Sequence, residues 1–344
     1  MVHRIVLVGF GNVGREFARM LVERCAELRR EQGLEAVVVG ILTATHGSVQ
    51  NAKGIDLRKA VRLAESGSCI EPCGRAIREP TRDYLRRSRA DIMVEITPLR
   101  IAPRQPALDH IVTAMSSGKH VITANKGPVV YHYPRLRALA LKKRVGFRYE
   151  GTVMDGAPVF NLFQETLRGC HVESFEGILN STSNFILSEL EAGRTYEAGV
   201  RAARGMGFLE ADASMDLDGW DATAKACLIA NVLMGGRLRP ETVPRQGISG
   251  IDAGRVREVR ATGRRVKQVA RGWRDGRRVH ASVTVEELPA DHALAGIEGT
   301  SNALLVRTDM LKEILISERH PGLRQTAFAL YSDLIAIHEG RLTP

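Results

Sequence analysis

The chain has 344 residues, 44% of them apolar, with 49 basic side chains against 39 acidic ones and a formal charge of +10. That length predicts two domains, and the lack of any uninterrupted apolar run of about eighteen residues excludes a helical membrane span. The N-terminus enters the apolar run RIVLVGFG with no small-residue cleavage site, so a cytoplasmic protein is expected.

Cys25, Cys69, Cys73, Cys170 and Cys227 do not form the paired spacing of a zinc site and read as incidental thiols. The basic residues favour phosphate-bearing ligands. They are dispersed, however: RAIREPTRDYLRRSR and RVREVRATGRRVKQVARGWR interleave arginine with apolar and acidic residues, as solvated amphipathic faces do. No nucleic-acid module is present, and no nucleic-acid or membrane partner is expected.

In chain order, β-branched runs at 4–9, 36–43, 91–96, 120–123 and 145–149 alternate with helical patterns at 13–31, 57–66, 105–117 and 133–143. This is the rhythm of an α/β domain with a doubly wound parallel sheet, the Rossmann layout. The first strand runs into Gly9-Phe10-Gly11-Asn12-Val13-Gly14, which opens a helix. In that context G-x-G-x-x-G predicts a dinucleotide site, with a tight turn, close backbone approach to a pyrophosphate, and free N–H groups at a helix N-terminus. The second strand ends Thr43-Ala44-Thr45-His46-Gly47, with no acid to hold a ribose 2′-hydroxyl. His46 or Lys53 could approach a 2′-phosphate, so NADP is favoured over NAD. Thr97 and the pair Asn125-Lys126 follow later strands, at the edge where such sheets bind ligands.

From Gly151 the pattern changes to a helix near 158–168, a strand near 173–179, helices near 182–192, 196–205 and 219–234, and strand-rich sequence from 264 to 316. We expect an α+β domain on a mixed or antiparallel sheet over 151–317. A last helix, 323–338, is expected to return to the first domain, which then comprises 1–150 and 318–344.

Within GFLEADASMDLDGWDATAK, Asp221 and Lys225 lie four residues apart and share a helix face. Glu210, Asp212, Asp216 and Asp218 cluster just before them. One alternative is local structure alone, with Asp218 as a helix N-cap and Asp221–Lys225 as a surface ion pair. Beside a dinucleotide domain, the group instead reads as a receptor for an amino-acid zwitterion, with carboxylates for its ammonium and a lysine to exchange a hydroxyl proton.

The segments GFGNVG, DIMVEITP, GKHVITANKGPV, EGTVMDGAP, EGILNSTSNFIL, GFLEADASMDLDGWDATAK, GTSNALLVRTD and YSDLIAI, in this order, resemble homoserine dehydrogenase in its short form without a C-terminal regulatory domain. The resemblance covers essentially the whole chain. It implies NAD(P)-dependent interconversion of homoserine and aspartate semialdehyde, with Lys225 and its partner Asp221 as catalytic residues and Lys126 between cofactor and substrate. It further implies that Glu210, Asp216, Asp221 and Thr182 bind the small amino-acid substrate, and that Thr97 and Gly322 join the glycine loop at the cofactor. Glu150 and the carbonyls of Val153, Asp155 and Ala157 match the family's sodium site, and a homodimer formed through the second domain's sheet is implied. The chain departs from the family where a glycine-rich GPGAG loop becomes Glu318-Arg319-His320-Pro321-Gly322, and where TPTN becomes Thr97-Pro98-Leu99-Arg100. These departures keep two rivals open: a paralogous dehydrogenase of another amino or hydroxy acid, and a non-catalytic nucleotide-binding relative.

Overall fold

A computed structural model describes residues 1–207, 209 and 213–342. The chain divides into two compact units, Met1–Pro158 with the segment from Gly322, and Val159–Pro321.

The first unit comprises β1 (Val2–Val8), α1 (Asn12–Glu23), α2 (Cys25–Gln32), β2 (Glu35–Leu42), β3 (Val49–Gln50), α3 (Leu57–Glu65), β4 (Arg75–Ala76), α4 (Thr81–Arg87), β5 (Ile92–Glu95), α5 (Pro106–Ser116), β6 (His120–Thr123), α6 (Lys126–Lys143) and β7 (Phe147–Arg148). Its sheet runs β4-β3-β2-β1-β5-β6-β7. The five strands from β2 to β7 in that order pair in parallel, while β3 and β4 add antiparallel at one edge. Strands buried on both faces need continuous apolar runs, and Ile5, Leu7, Ile92, Val94 and Ile122 supply them to a core that also takes Phe17.

Two expectations need correction here. The single helix expected over 13–31 is α1 and α2, divided at Arg24, beyond which only Leu28 of α2 is buried. The helix expected from 133 begins at Lys126: Asn125 caps it by accepting from the Gly127 N–H, and Pro128 is tolerated in a first turn whose N–H groups have no helical partner.

The second unit comprises β8 (Val172–Ile178), α7 (Ser181–Glu191), α8 (Tyr196–Gly205), α9 (Ser214–Leu217), α10 (Trp220–Leu233), α11 (Ala253–Ala261), β9 (Arg265–Asp275), β10 (Arg278–Leu288), β11 (Asn302–Thr308) and β12 (Lys312–Glu318). The sheet is antiparallel throughout, in the order β10-β9-β8-β11-β12. Helix α10 packs on β9 and β10, and α7 and α11 pack on β9. The helix expected near 158–168 is reduced to a five-residue π-helical turn, Leu162–Thr166.

The chain then returns to the first unit as α12 (Leu323–His338), whose Leu330, Leu334 and Ile337 enter that unit's core. Among the described residues, no helix is long and apolar enough to cross a membrane.

Candidate active site

In the first unit, β1 delivers the chain into a turn that glycine alone suits. Gly9 has φ +103°, and a Cβ there would lie 2.3 Å from the Ile96 carbonyl oxygen. A Cβ on Gly11 would meet nothing within 4 Å, and one on Gly14 would lie 2.9 Å from Ile96 Cδ1. The first and third glycines therefore serve packing, and the second leaves open space above the backbone. Phe10 is buried in the core and offers the site only its backbone, while Val13 packs against the same core. Asn12 is exposed and accepts from Arg15 Nη2 at 2.7 Å. No side chain caps the N-terminus of α1, and no acid stands in its first turn. The resulting N–H groups and positive dipole end fit a dinucleotide pyrophosphate.

At the carboxyl end of β5, Glu95 is fully buried. Its carboxylate accepts from the hydroxyl of Thr97, from the Thr97 N–H at 3.3 Å and from Thr123 Oγ1 at 3.4 Å. Asn125 donates from its Nδ2 to the Thr97 carbonyl at 3.4 Å and receives Gly127 N–H on its Oδ1 at 3.2 Å. One hydrogen-bonded system thus fixes Thr97 and the start of α6, where Lys126 is the first helical residue. Sequence reasoning missed Glu95, although a carboxylate ending an apolar strand was a usable signal.

At the end of β2, Thr43 Oγ1 accepts from the N–H groups of Thr45 (3.2 Å) and His46 (2.7 Å), so His46 stays at the ligand-binding edge. Lys53 does not. Its neighbour Gly54 packs on Val37 and Ile55 N–H bonds to the Val38 carbonyl, near the opposite end of β2, which removes Lys53 from the nucleotide reading. A Cβ on Gly47 would lie 3.4 Å from the Glu71 side chain, whose carboxylate is paired with Arg78 at 2.7 Å.

Also in this unit, Met154 and Asp155 have φ of 50° and 47°, curling the backbone of the expected ion loop. Glu150, Val153 and Ala157 are buried. The donor set is all oxygen, which fits a hard cation, although the Asp155 carboxylate is already bonded by Thr326 Oγ1 at 2.8 Å. Gly322 is the N-cap of α12.

In the second unit, Gly219 starts α10 with φ +78°. Asp218 is not the cap: its carboxylate accepts from Ser249 Oγ at 2.8 Å. Nor is the next pair a surface ion pair. Lys225 Nζ lies 3.0 Å from Asp221 Oδ2, with the two side chains only 13% and 11% exposed. Lys225 Nζ also donates to the Leu179 carbonyl at 2.7 Å. Asn180, not singled out in the sequence, donates from Nδ2 to Asp216 Oδ1 at 2.7 Å and to Asp221 Oδ2 at 3.1 Å. Asp216, Asp221 and Lys225 are therefore one cluster, and Thr182 is buried in the first turn of the adjoining α7. Glu210 and Asp212 lie outside the described residues. Burial pushes the thiol of Cys227, two residues beyond Lys225, up to about 12, so it stays neutral and inert.

A largely buried lysine with an aspartate partner can exchange a proton with a hydroxyl group; the glycine loop can hold a dinucleotide. Residues 9–150 match the family model described as homoserine dehydrogenase, NAD binding domain, and residues 158–335 the one described as homoserine dehydrogenase. The chain is 36% identical to an NAD(+)-dependent homoserine dehydrogenase of Pseudomonas canavaninivorans, over 98% of this chain and 96% of that one. It is 34% identical to a homoserine dehydrogenase of Methanocaldococcus jannaschii, over 97% and 98%. A hyperthermophilic archaeal homoserine dehydrogenase in complex with NADPH superposes with a TM-score of 0.83 at 28% identity, covering 98% of this chain and 97% of that one.

Proposed function

The chain belongs to the homoserine dehydrogenase family, and from that premise we propose how its own residues perform the family reaction. It is an NAD(P)-dependent oxidoreductase that interconverts L-homoserine and L-aspartate 4-semialdehyde, a step of threonine and methionine biosynthesis. The bound nicotinamide supplies or accepts the hydride. Lys225 Nζ takes the hydroxyl proton as homoserine is oxidised and returns it as the aldehyde is reduced, and Asp221 orients the ammonium. Asp216, Asp221 and Glu210 receive the substrate ammonium, with Thr182 beside them. The single observation behind these roles is the buried Asp221–Lys225 pair, tied by Asn180 to Asp216.

In the cofactor site, the glycine loop from Gly9 to Gly14 holds the pyrophosphate, with Thr97, Lys126 and Gly322 completing the contacts. Either NAD or NADP serves. The preference for NADP rests on the acid-free turn 43–47; Glu71 beside it is paired with Arg78. A sodium ion would be held by Glu150 and the carbonyls of Val153, Asp155 and Ala157. In this reading the first domain spans 1–150 with 318–344, the substrate and dimerisation domain spans 151–317, and the enzyme works in the cytoplasm as a homodimer.

The roles are tested by initial rates of aspartate semialdehyde reduction with NADPH and NADH. Lys225→Ala should lower kcat by about 10²- to 10⁴-fold while substrate KM changes only severalfold. Near-normal turnover in that variant would remove Lys225 from the proton transfer.

A further inference from the structure

The connection between β8 and α7 is two residues long, and both hold the proposed acid–base pair. Leu179 offers its carbonyl to Lys225 Nζ at 2.7 Å. Asn180 is only 5% exposed and uses every part of its amide. Its Oδ1 accepts the Ser183 N–H at 2.7 Å and so caps α7, while its Nδ2 donates to Asp216 Oδ1 at 2.7 Å and to Asp221 Oδ2 at 3.1 Å. The Asp221 oxygen that receives this amide is the one that faces Lys225 at 3.0 Å.

We propose that Asn180 is a positioning residue for the hydride-transfer reaction, holding Asp221 against Lys225 and Asp216 beside them through its amide NH₂ group. The inference deepens the reading of this site and rests on it. Two carboxylates converge on one small group, and mutual repulsion would drive them apart unless something donates to both. The amide does so without adding charge. A third carboxylate at this position would repel the first two, and a hydroxyl could donate to only one of them. Because the amide is also fixed by its cap bond, the carboxylates inherit the rigidity of the strand-to-helix turn. A misplacement of about 1 Å in such a constellation costs on the order of 10²-fold in rate.

The cap role and the positioning role separate experimentally, because Asn, Asp and Ser are nearly equal N-caps. Asn180→Ser and Asn180→Asp both keep an oxygen for the Ser183 N–H and lose the double donor. A residue that only caps α7 would be rescued by Asn180→Ser, which adds no charge. The positioning role predicts that Asn180→Ser melts within a few degrees of the native enzyme, that Asn180→Asp melts lower because it buries a third carboxylate, and that both keep their cofactor KM. It also predicts that kcat falls about 10- to 10²-fold for Asn180→Ser and further for Asn180→Asp. In a double-mutant cycle, Asn180→Ser should cost little more once Asp221→Ala is present, since its effect passes through that carboxylate. Turnover of Asn180→Ser and Asn180→Asp within about threefold of the native enzyme would overturn the proposal, as would full additivity with Asp221→Ala. Lys225→Ala keeps the two ideas apart. If it retained turnover, the acid–base reading would fall and this proposal with it. If it lost turnover while Asn180→Ser did not, the positioning role alone would fall.

Discussion

Two histidines at the amino edge of the first sheet make stability pH-dependent. His120 Nδ1 accepts the Gly146 N–H at 2.7 Å, a bond that needs the unprotonated nitrogen. Burial holds His120 below its ordinary value, with Asp91 opposing, and burial followed by His338 does the same to His3. In the folded protein both therefore bind protons less readily than in the unfolded chain. Between their folded values and about 6.5 the unfolded state takes up more protons, so stability is full above that window and is lost as pH falls through it. The urea midpoint should drop between about pH 7 and pH 5, and His120→Asn should flatten part of that drop. Equal midpoints at both pH values in the native protein would contradict the assignment. At this scale the sequence was legible where residues act locally. Asp221 and Lys225, four apart on one helix, form the expected pair. Asn180 was not legible, because its partners stand 36 and 41 residues away. Lys53 misled for the converse reason: it follows the second strand in sequence, but the turn carries it back toward that strand's other end.

Secondary-structure elements were legible where an apolar face and a terminal signal coincide. The span 323–338 and the span 196–205 match α12 and α8 at both ends. The two-residue strands β3 and β4 have no periodicity to read, since their pairing partners define them. Helix α6 shows how a capping residue sets a start ahead of a proline: Asn125 begins the helix at Lys126, and Pro128 falls within its first turn. That cap has a second function, because Asn125 Nδ2 reaches the Thr97 carbonyl. Asn125→Ala should cost about 1 kcal/mol from the lost cap, which is a fall of roughly 2–4 °C in Tm for a unit of this size. Asn125→Ser should restore Tm, because serine caps as well, without restoring the link to Thr97. If the Thr97 turn meets the cofactor, both variants should raise the cofactor KM. A scanning-calorimetry trace unchanged in Asn125→Ala would show that the cap contributes nothing.

For the molecule as a whole, the two sheets solve the problem of their exposed surfaces differently. The first has helices assigned to it all along the chain, and its β2 edge is covered by the short antiparallel β3 and β4. The second pairs five long strands but turns one face to helices α7, α10 and α11, whose Ile186, Leu190 and Val256 cluster with Val266. On the opposite face, register places Trp273 beside His280 and Ser174, and Leu305 beside Leu315 and Glu176. A loop containing Leu294 and Ala295 covers part of that face near Val269. Farther along, Trp273 is 40% exposed and Leu315 46%, flanked by Arg271, which is paired with Glu176 and Glu286. An antiparallel sheet with apolar side chains left on its second face suits a symmetric partner, since a twofold interface lets each such residue meet the same patch on the other copy. This face is where the proposed homodimer is expected to form. Light scattering should give twice the chain mass, and Leu315→Arg, which places a charge where the patch must lose water, should shift the protein to single chains. In the edge strand β12 Leu315 lies on the more exposed face and Ile314 and Ile316 on the partly buried one, so the arginine is tolerated within the fold of one copy. A dimer that survives both Leu315→Arg and Trp273→Glu would place the interface elsewhere.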